Sequence, residues 1–116
     1  MTATALQIKG QEARLAGDLT FATVASLYDR MDAQSRRGHM PSVIDLSEVG
    51  QIDSAGLALL LEWQSAFRKQ QAARGGSESL IRIENPPEAL IKIARLCDAE
   101  DYLLDVASGP GPGKTA

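Results

Sequence analysis

Asp53-Ser54-Ala55-Gly56 brings a carboxylate, a hydroxyl and a glycine together where a short apolar segment gives way to a leucine-rich one. Ser54 falls at the first turn of the helix predicted to follow. Backbone N–H groups there lack intrahelical partners, and the helix dipole favours negative charge. Such a position suits a helix cap, an anion site, a phosphorylation switch or a docking point. A phosphoryl group on Ser54 would add nearly two negative charges where backbone donors can meet them, although Asp53 next to it would repel them. Capping by Asp53 or Ser54 is the plainer use of the same residues and contributes about 1 kcal/mol.

Other groups could support chemistry only with partners. Asp18, Asp45, Glu48 and Asp53 read as falling at strand-to-helix loops and could gather at one end of the sheet, where carboxylates can do acid–base work or hold a metal. No histidine or second ligand set accompanies them. His39 lies in a loop beside Arg36, Arg37 and Met40, which reads as a solvated side chain. Cys97 is the single cysteine, which excludes an internal disulfide, and the helical pattern places it toward the core as an inert thiol. No Ser-His-Asp arrangement, phosphate-cradling glycine loop or paired Cys and His ligands occur. The chain is read as non-enzymatic, with no cofactor and no metal.

The elements that must position these residues follow from periodicity. Ala5–Lys9 and Glu12–Ala16 alternate apolar and polar residues around Gly10, as two half-buried strands of a hairpin do. Gly17-Asp18-Leu19-Thr20 reads as a turn with Thr20 as N-cap. A helix is expected from Phe21, with Phe21, Val24, Leu27, Tyr28 and Met31 on one stripe, ending at Arg36–His39 before Pro41. Ser42–Leu46 is a short strand buried on both faces, as in parallel pairing. A second helix runs from Ser54 to about Arg74, ended by Gly75-Gly76. Leu80–Glu84 alternates as a further strand, and Asn85-Pro86-Pro87 opens a helix carrying Leu90, Ile91, Ile93, Ala94 and Leu96 to about Cys97. Tyr102-Leu103-Leu104 closes the domain as a strand or a turn. The order predicts an α/β domain over 1–106 with a mixed four- to five-stranded sheet and helices on one face. Residues 107–116, rich in glycine and proline, form a tail outside it.

Gly56, in the first turn of the second helix, is a poor helix former, and its gain is closeness. Either the preceding strand or a partner can approach there. Leu57, Ala58, Leu59, Leu60 and Leu61 make the helix start apolar all round, whereas a surface helix needs one apolar face. That means burial on both sides or a patch awaiting a partner, and in a small domain the partner is preferred.

Composition narrows the classes. With 116 residues, one core is possible, and aromatic residues at 4% leave its packing to aliphatic side chains. The net charge of −3, with acids and bases interspersed and no basic block, argues against nucleic acid binding. No apolar run approaches the roughly 20 residues of a membrane helix. The first nine residues carry no apolar leader signature, so a cytoplasmic location is expected. No internal repeat is present.

The run V-I-D-L-S-E-V-G-Q-I-D-S-A-G-L-A-L-L-L, with L-A-G-D-L before the first helix and N-P-P-E-A-L-I-K-I-A-R-L later, resembles the STAS domain family, the fold of anti-sigma factor antagonists. The resemblance spans roughly Leu6 to Leu104. Within the family the chain is most similar to MlaB-like proteins, the small STAS subunits of Mla-type ABC transporters that move phospholipids between bacterial membranes. That likeness implies a non-enzymatic subunit that binds and supports the transporter's ATPase subunit, meeting the membrane only through that complex at its cytoplasmic face. It places Asp53, Ser54, Ala55 and Gly56 at the family motif, with Leu57 and Leu61 joining them against the ATPase. MlaB-like proteins often carry threonine and glycine where this chain has Ser54 and Ala55. Serine there is the typical phospho-acceptor of anti-sigma factor antagonists, so an antagonist that binds an anti-sigma kinase and is regulated at Ser54 is the alternative.

Overall fold

The computed structural model describes residues 5–38, 40–76 and 79–103. Strands β1 (Ala5–Lys9) and β2 (Glu12–Leu19) pair antiparallel around Gly10, whose φ of +58° turns the chain. Helix α1 (Val24–Arg36) then leads to β3 (Val43–Ile52), parallel to β2. Helix α2 (Ser54–Ala73) follows, then β4 (Arg82–Glu84), parallel to β3, and helices α3 (Glu88–Leu96) and α4 (Glu100–Leu103). The four strands lie in the order β1-β2-β3-β4, giving the mixed sheet expected.

Burial explains the arrangement. Ala13, Leu15, Gly17 and Leu19 of β2 are buried in alternation, and they meet a core built from Leu27 and Met31 of α1, Leu57, Leu60 and Trp63 of α2, and Leu90 of α3. The other face presents the exposed Gln7, Glu12 and Arg14. Ile44, Asp45 and Leu46 of the central strand β3 are buried in succession, Asp45 beneath its polar neighbours Arg14, Ser47 and Asn85.

Several boundaries differ from the sequence reading. The segment Gly17–Thr20 is largely strand: Gly17, at φ +95°, carries β2 past a register shift against β3. The turn comes one step later, and Thr23 rather than Thr20 is the N-cap residue of α1. Its Oγ1 accepts from Thr20 N and donates to the Asp18 carbonyl, at 3.0 and 2.8 Å. The helix therefore starts after Phe21, which is left 82% exposed instead of joining the core stripe. Strand β3 runs on to Ile52, well past Leu46.

The strand expected from Leu80 begins only at Arg82 because another group occupies the backbone of Ile81. Gln64, 2% exposed, accepts from Ile81 N at 2.6 Å and donates to Ile81 O at 2.9 Å. Its Nε2 also donates to Leu103 O at 2.7 Å, fastening α4 to α2. Residues 100–103 are thus one helical turn, neither strand nor simple turn. Cys97 sits at the C-cap of α3 and is exposed, contrary to the core position expected, because the helix ends at Leu96 and the chain reverses through Asp98 at φ +56°. His39, Leu104 and the tail 107–116 lie outside the described residues.

Candidate functional site: the start of helix α2

Strand β3 ends at Ile52, and the next residue organises the site. Asp53 adopts extended backbone, and its Oδ1 accepts from Ala55 N and Gly56 N at 2.9 and 3.2 Å. Asp53, not Ser54, is therefore the cap. Its second oxygen, Oδ2, accepts from Phe21 N at 3.1 Å, and Asp53 N donates to Leu19 O at 3.2 Å. One side chain thus ties the start of α2 to the loop leading into α1. The Phe21 N–H, followed by those of Gly56 and Ala55, holds the Asp53 carboxyl below its ordinary range against an opposing contribution from burial.

A depressed pKa in the folded state has a definite sign. Asp53 contributes stability above the ordinary carboxyl pKa, and that contribution is lost as pH falls through the lowered folded value. Asp53→Asn is expected to lower stability at neutral pH and to flatten the acid limb of the stability–pH curve. Urea midpoints measured between neutral pH and pH 3 test this, and parallel curves for both proteins would refute it.

Gly56 packs against its own sheet. A β-carbon there would stand 2.4 Å from Leu19 O and 2.8 Å from Ile52 Cγ1. Of the two uses open to this glycine, close approach of the strands is the one found. Ser54 is exposed at the first helical position, and Ala55 is half-buried beside it.

The leucines that follow do not form the free patch preferred from the sequence. Leu57, Leu59 and Leu60 are 3%, 5% and 1% exposed. Leu61 is half-buried and packed against the core. Helix α2 lies against α1, α3, α4 and β3, so its apolar start is covered on several sides. Leu57 is thus part of the core and does not line the accessible surface beside it. Accessible apolar surface near the start of α2 faces α1, in a groove lined by Ala55, Ala58 and Leu59 of α2 and by Phe21, Val24, Ala25 and Tyr28. Tyr28 is 43% exposed. The sequence reading assigned Phe21 and Tyr28 to the core, because helical spacing alone does not show where a helix begins.

The carboxylates do not converge. Asp45 lies mid-strand, eight residues before Asp53, which is about 25 Å along extended chain. It accepts from Asn85 Nδ2 and Ser47 N, both at 3.0 Å, and faces the Arg14 guanidinium at 3.4 Å. The Asn85 amide is the main cause that holds its carboxyl below the usual range. Asp45 thus anchors the turn where β4 ends, with Asn85 at φ +55°. Asp18 accepts from Gln51 N at 2.9 Å. Among the described residues, no three metal-ligating side chains come together.

The chain, a mixed sheet whose third strand runs into a capped helix, belongs to the STAS domain family. The family model described as "Mlab, STAS domain" matches residues 4–105. Among solved structures, the anti-sigma factor antagonist SpoIIAA in its unphosphorylated form is similar at 18% identity and a TM-score of 0.54, over 81% of this chain and 83% of that one. The Bacillus cell fate determinant SpoIIAA in its phosphorylated form gives 16% identity and a TM-score of 0.55, over 86% and 87%. These likenesses show the fold. No curated protein matches the sequence. No described helix is long and apolar enough to cross a membrane.

Proposed function

We propose that this protein is a non-enzymatic accessory subunit that docks on the ATPase subunit of an Mla-type ABC transporter and supports intermembrane phospholipid transport. The observation that carries this reading is the exposed apolar groove between α1 and α2, which the motif residue Ala55 lines one position after Ser54. Phe21 is 82% exposed among the described residues. An exposed aromatic beside a shallow apolar floor is the usual anatomy of a protein contact. The family match to an Mlab-type STAS domain supports the transporter as its setting. Asp53 and Gly56 act from beneath, shaping the surface that Ser54, Ala55 and Ala58 present.

Ala58 is exposed, so Ala58→Asp leaves the core intact while placing a charge on the groove wall. The variant is expected to fold normally by circular dichroism and to lose at least about tenfold in affinity for the co-expressed ATPase subunit, since a buried unpaired charge costs several kcal/mol. Unchanged co-purification would remove the groove from the interface. Leu61→Asp is a poorer probe, because Leu61 supports the core.

The second reading, an anti-sigma factor antagonist regulated by phosphorylation, is favoured by the exposed hydroxyl of Ser54 at the first position of α2. A phosphoryl group there would stand beside Asp53, whose carboxylate already occupies the N–H groups of Ala55 and Gly56. Its charge would act chiefly by repelling a partner. Intact-mass measurement of the protein from its native cells separates the readings. A phosphoryl adduct mapped to Ser54 supports the switch, and unmodified protein in every growth phase opposes it.

A further inference from the structure

We propose that the occupant of the α1–α2 groove is an amphipathic helix of the partner whose apolar stripe is bordered by lysine or arginine. The proposal rests on the docking reading above and specifies the chemistry of what docks. On α2, Ala55, Ala58, Leu59 and Glu62 recur at i, i+3, i+4 and i+7, so they share one face and form a straight wall. Opposite them, Val24 and Tyr28 stand one turn apart on α1. Alanines between larger side chains leave a trough in which the aliphatic side chains of a third helix can interdigitate.

Charge selects among occupants. The ionised side chains lining the groove are Asp29 and Glu62, both carboxylates, and neither is paired among the described residues. The neighbouring acid Asp32 is already taken by Arg36 at 3.0 Å. Two free acids beside an apolar floor repel an acidic peptide or an anionic lipid surface. A helix with cationic flanks meets both acids while burying its apolar stripe on Phe21, Tyr28 and Leu59.

The test uses the full chain and two fluorescein-labelled peptides of about 18 residues with the same leucine stripe, one flanked by lysine and one by glutamate. By fluorescence anisotropy, the lysine peptide is expected to bind at least about tenfold more tightly than the glutamate peptide and to weaken as salt rises. The double variant Asp29→Lys/Glu62→Lys should lose about tenfold for the lysine peptide. A control with the same charge change on exposed acids elsewhere, Glu88→Lys/Asp101→Lys, should lose less than about twofold. Equal loss in both double variants, equal binding of both peptides, or no binding of either at millimolar peptide overturns the proposal. If it falls while the ATPase subunit still co-purifies in an Ala58-dependent way, the docking reading stands. If the lysine peptide binds as expected and no ATPase is recovered, the transporter reading falls and this inference stands.

Discussion

Gly56→Ala is expected to destabilise the protein by about 2–4 kcal/mol, although alanine is the better helix former by about 1 kcal/mol. The added methyl would lie 2.4 Å from the Leu19 carbonyl oxygen, closer than real contacts allow. That oxygen is backbone, and it already accepts from Asp53 N, so it cannot rotate aside as a flexible side chain would. Relief requires the start of α2 to lift from the end of β2, which also stretches the Asp53 contact to Phe21. Urea denaturation measures the balance directly. With a slope of about 1–3 kcal/mol per molar for a domain of this size, the midpoint should fall by about 1 M or more. A midpoint equal to or above that of the parent protein would show that the helix lies farther from the sheet than described.

Gln64→Leu is expected to cost about 3–5 kcal/mol, because three buried backbone groups lose their partner while the shape of the core is nearly kept. Ile81 would be left with both its N–H and its carbonyl unpaired, and Leu103 with its carbonyl. The loss should be local as well as global. Amide exchange at Ile81 and through α4 should accelerate more than at Leu15 or Ile44, which belong to the central strands. Gln64→Glu is a sharper companion, since an ionised carboxylate would face the two carbonyl oxygens that now accept from Nε2. Its stability should therefore recover partly as pH falls and the acid becomes neutral. Exchange at Ile81 unchanged in Gln64→Leu would show that this side chain does not hold the segment.

These two residues also show what was legible in the sequence. Apart from α4, the element types and their order followed from periodicity, as in the alternating Leu6, Ile8, Ala13 and Leu15 and the stripe Val24, Leu27 and Met31. The start of α2 was readable near Ser54, since Asp, Ser and Gly mark a helix entry by local chemistry, while the cap stayed open between Asp53 and Ser54. Gly56 was recognised as a point of close approach, with its partner left open between strand and outside surface.

Gln64 gave no such signal. A glutamine beside Trp63 looks like the polar side of an amphipathic helix, and only the folded chain brings Ile81 and Leu103 against it. The free apolar patch expected at Leu57–Leu61 was not found for a related reason. All-round apolarity shows that a helix is covered, but not by what; α1, α3, α4 and β3 of the same chain lie against α2, and Leu57, Leu59 and Leu60 are buried. Phe21 moved the other way, from core to surface, because Thr23 and not Thr20 caps α1 and so sets where helical spacing starts to count.

The hydrogen bond from Phe21 N to Asp53 Oδ2 has a kinetic corollary. On the docking reading, it restrains the backbone of the most exposed aromatic in the groove before a partner arrives, so that backbone entropy is spent during folding rather than at encounter. Association then need not wait for a segment to order. Its rate is set by diffusion and by the field of the groove's charged rim, and differences between partners emerge in how long each complex survives.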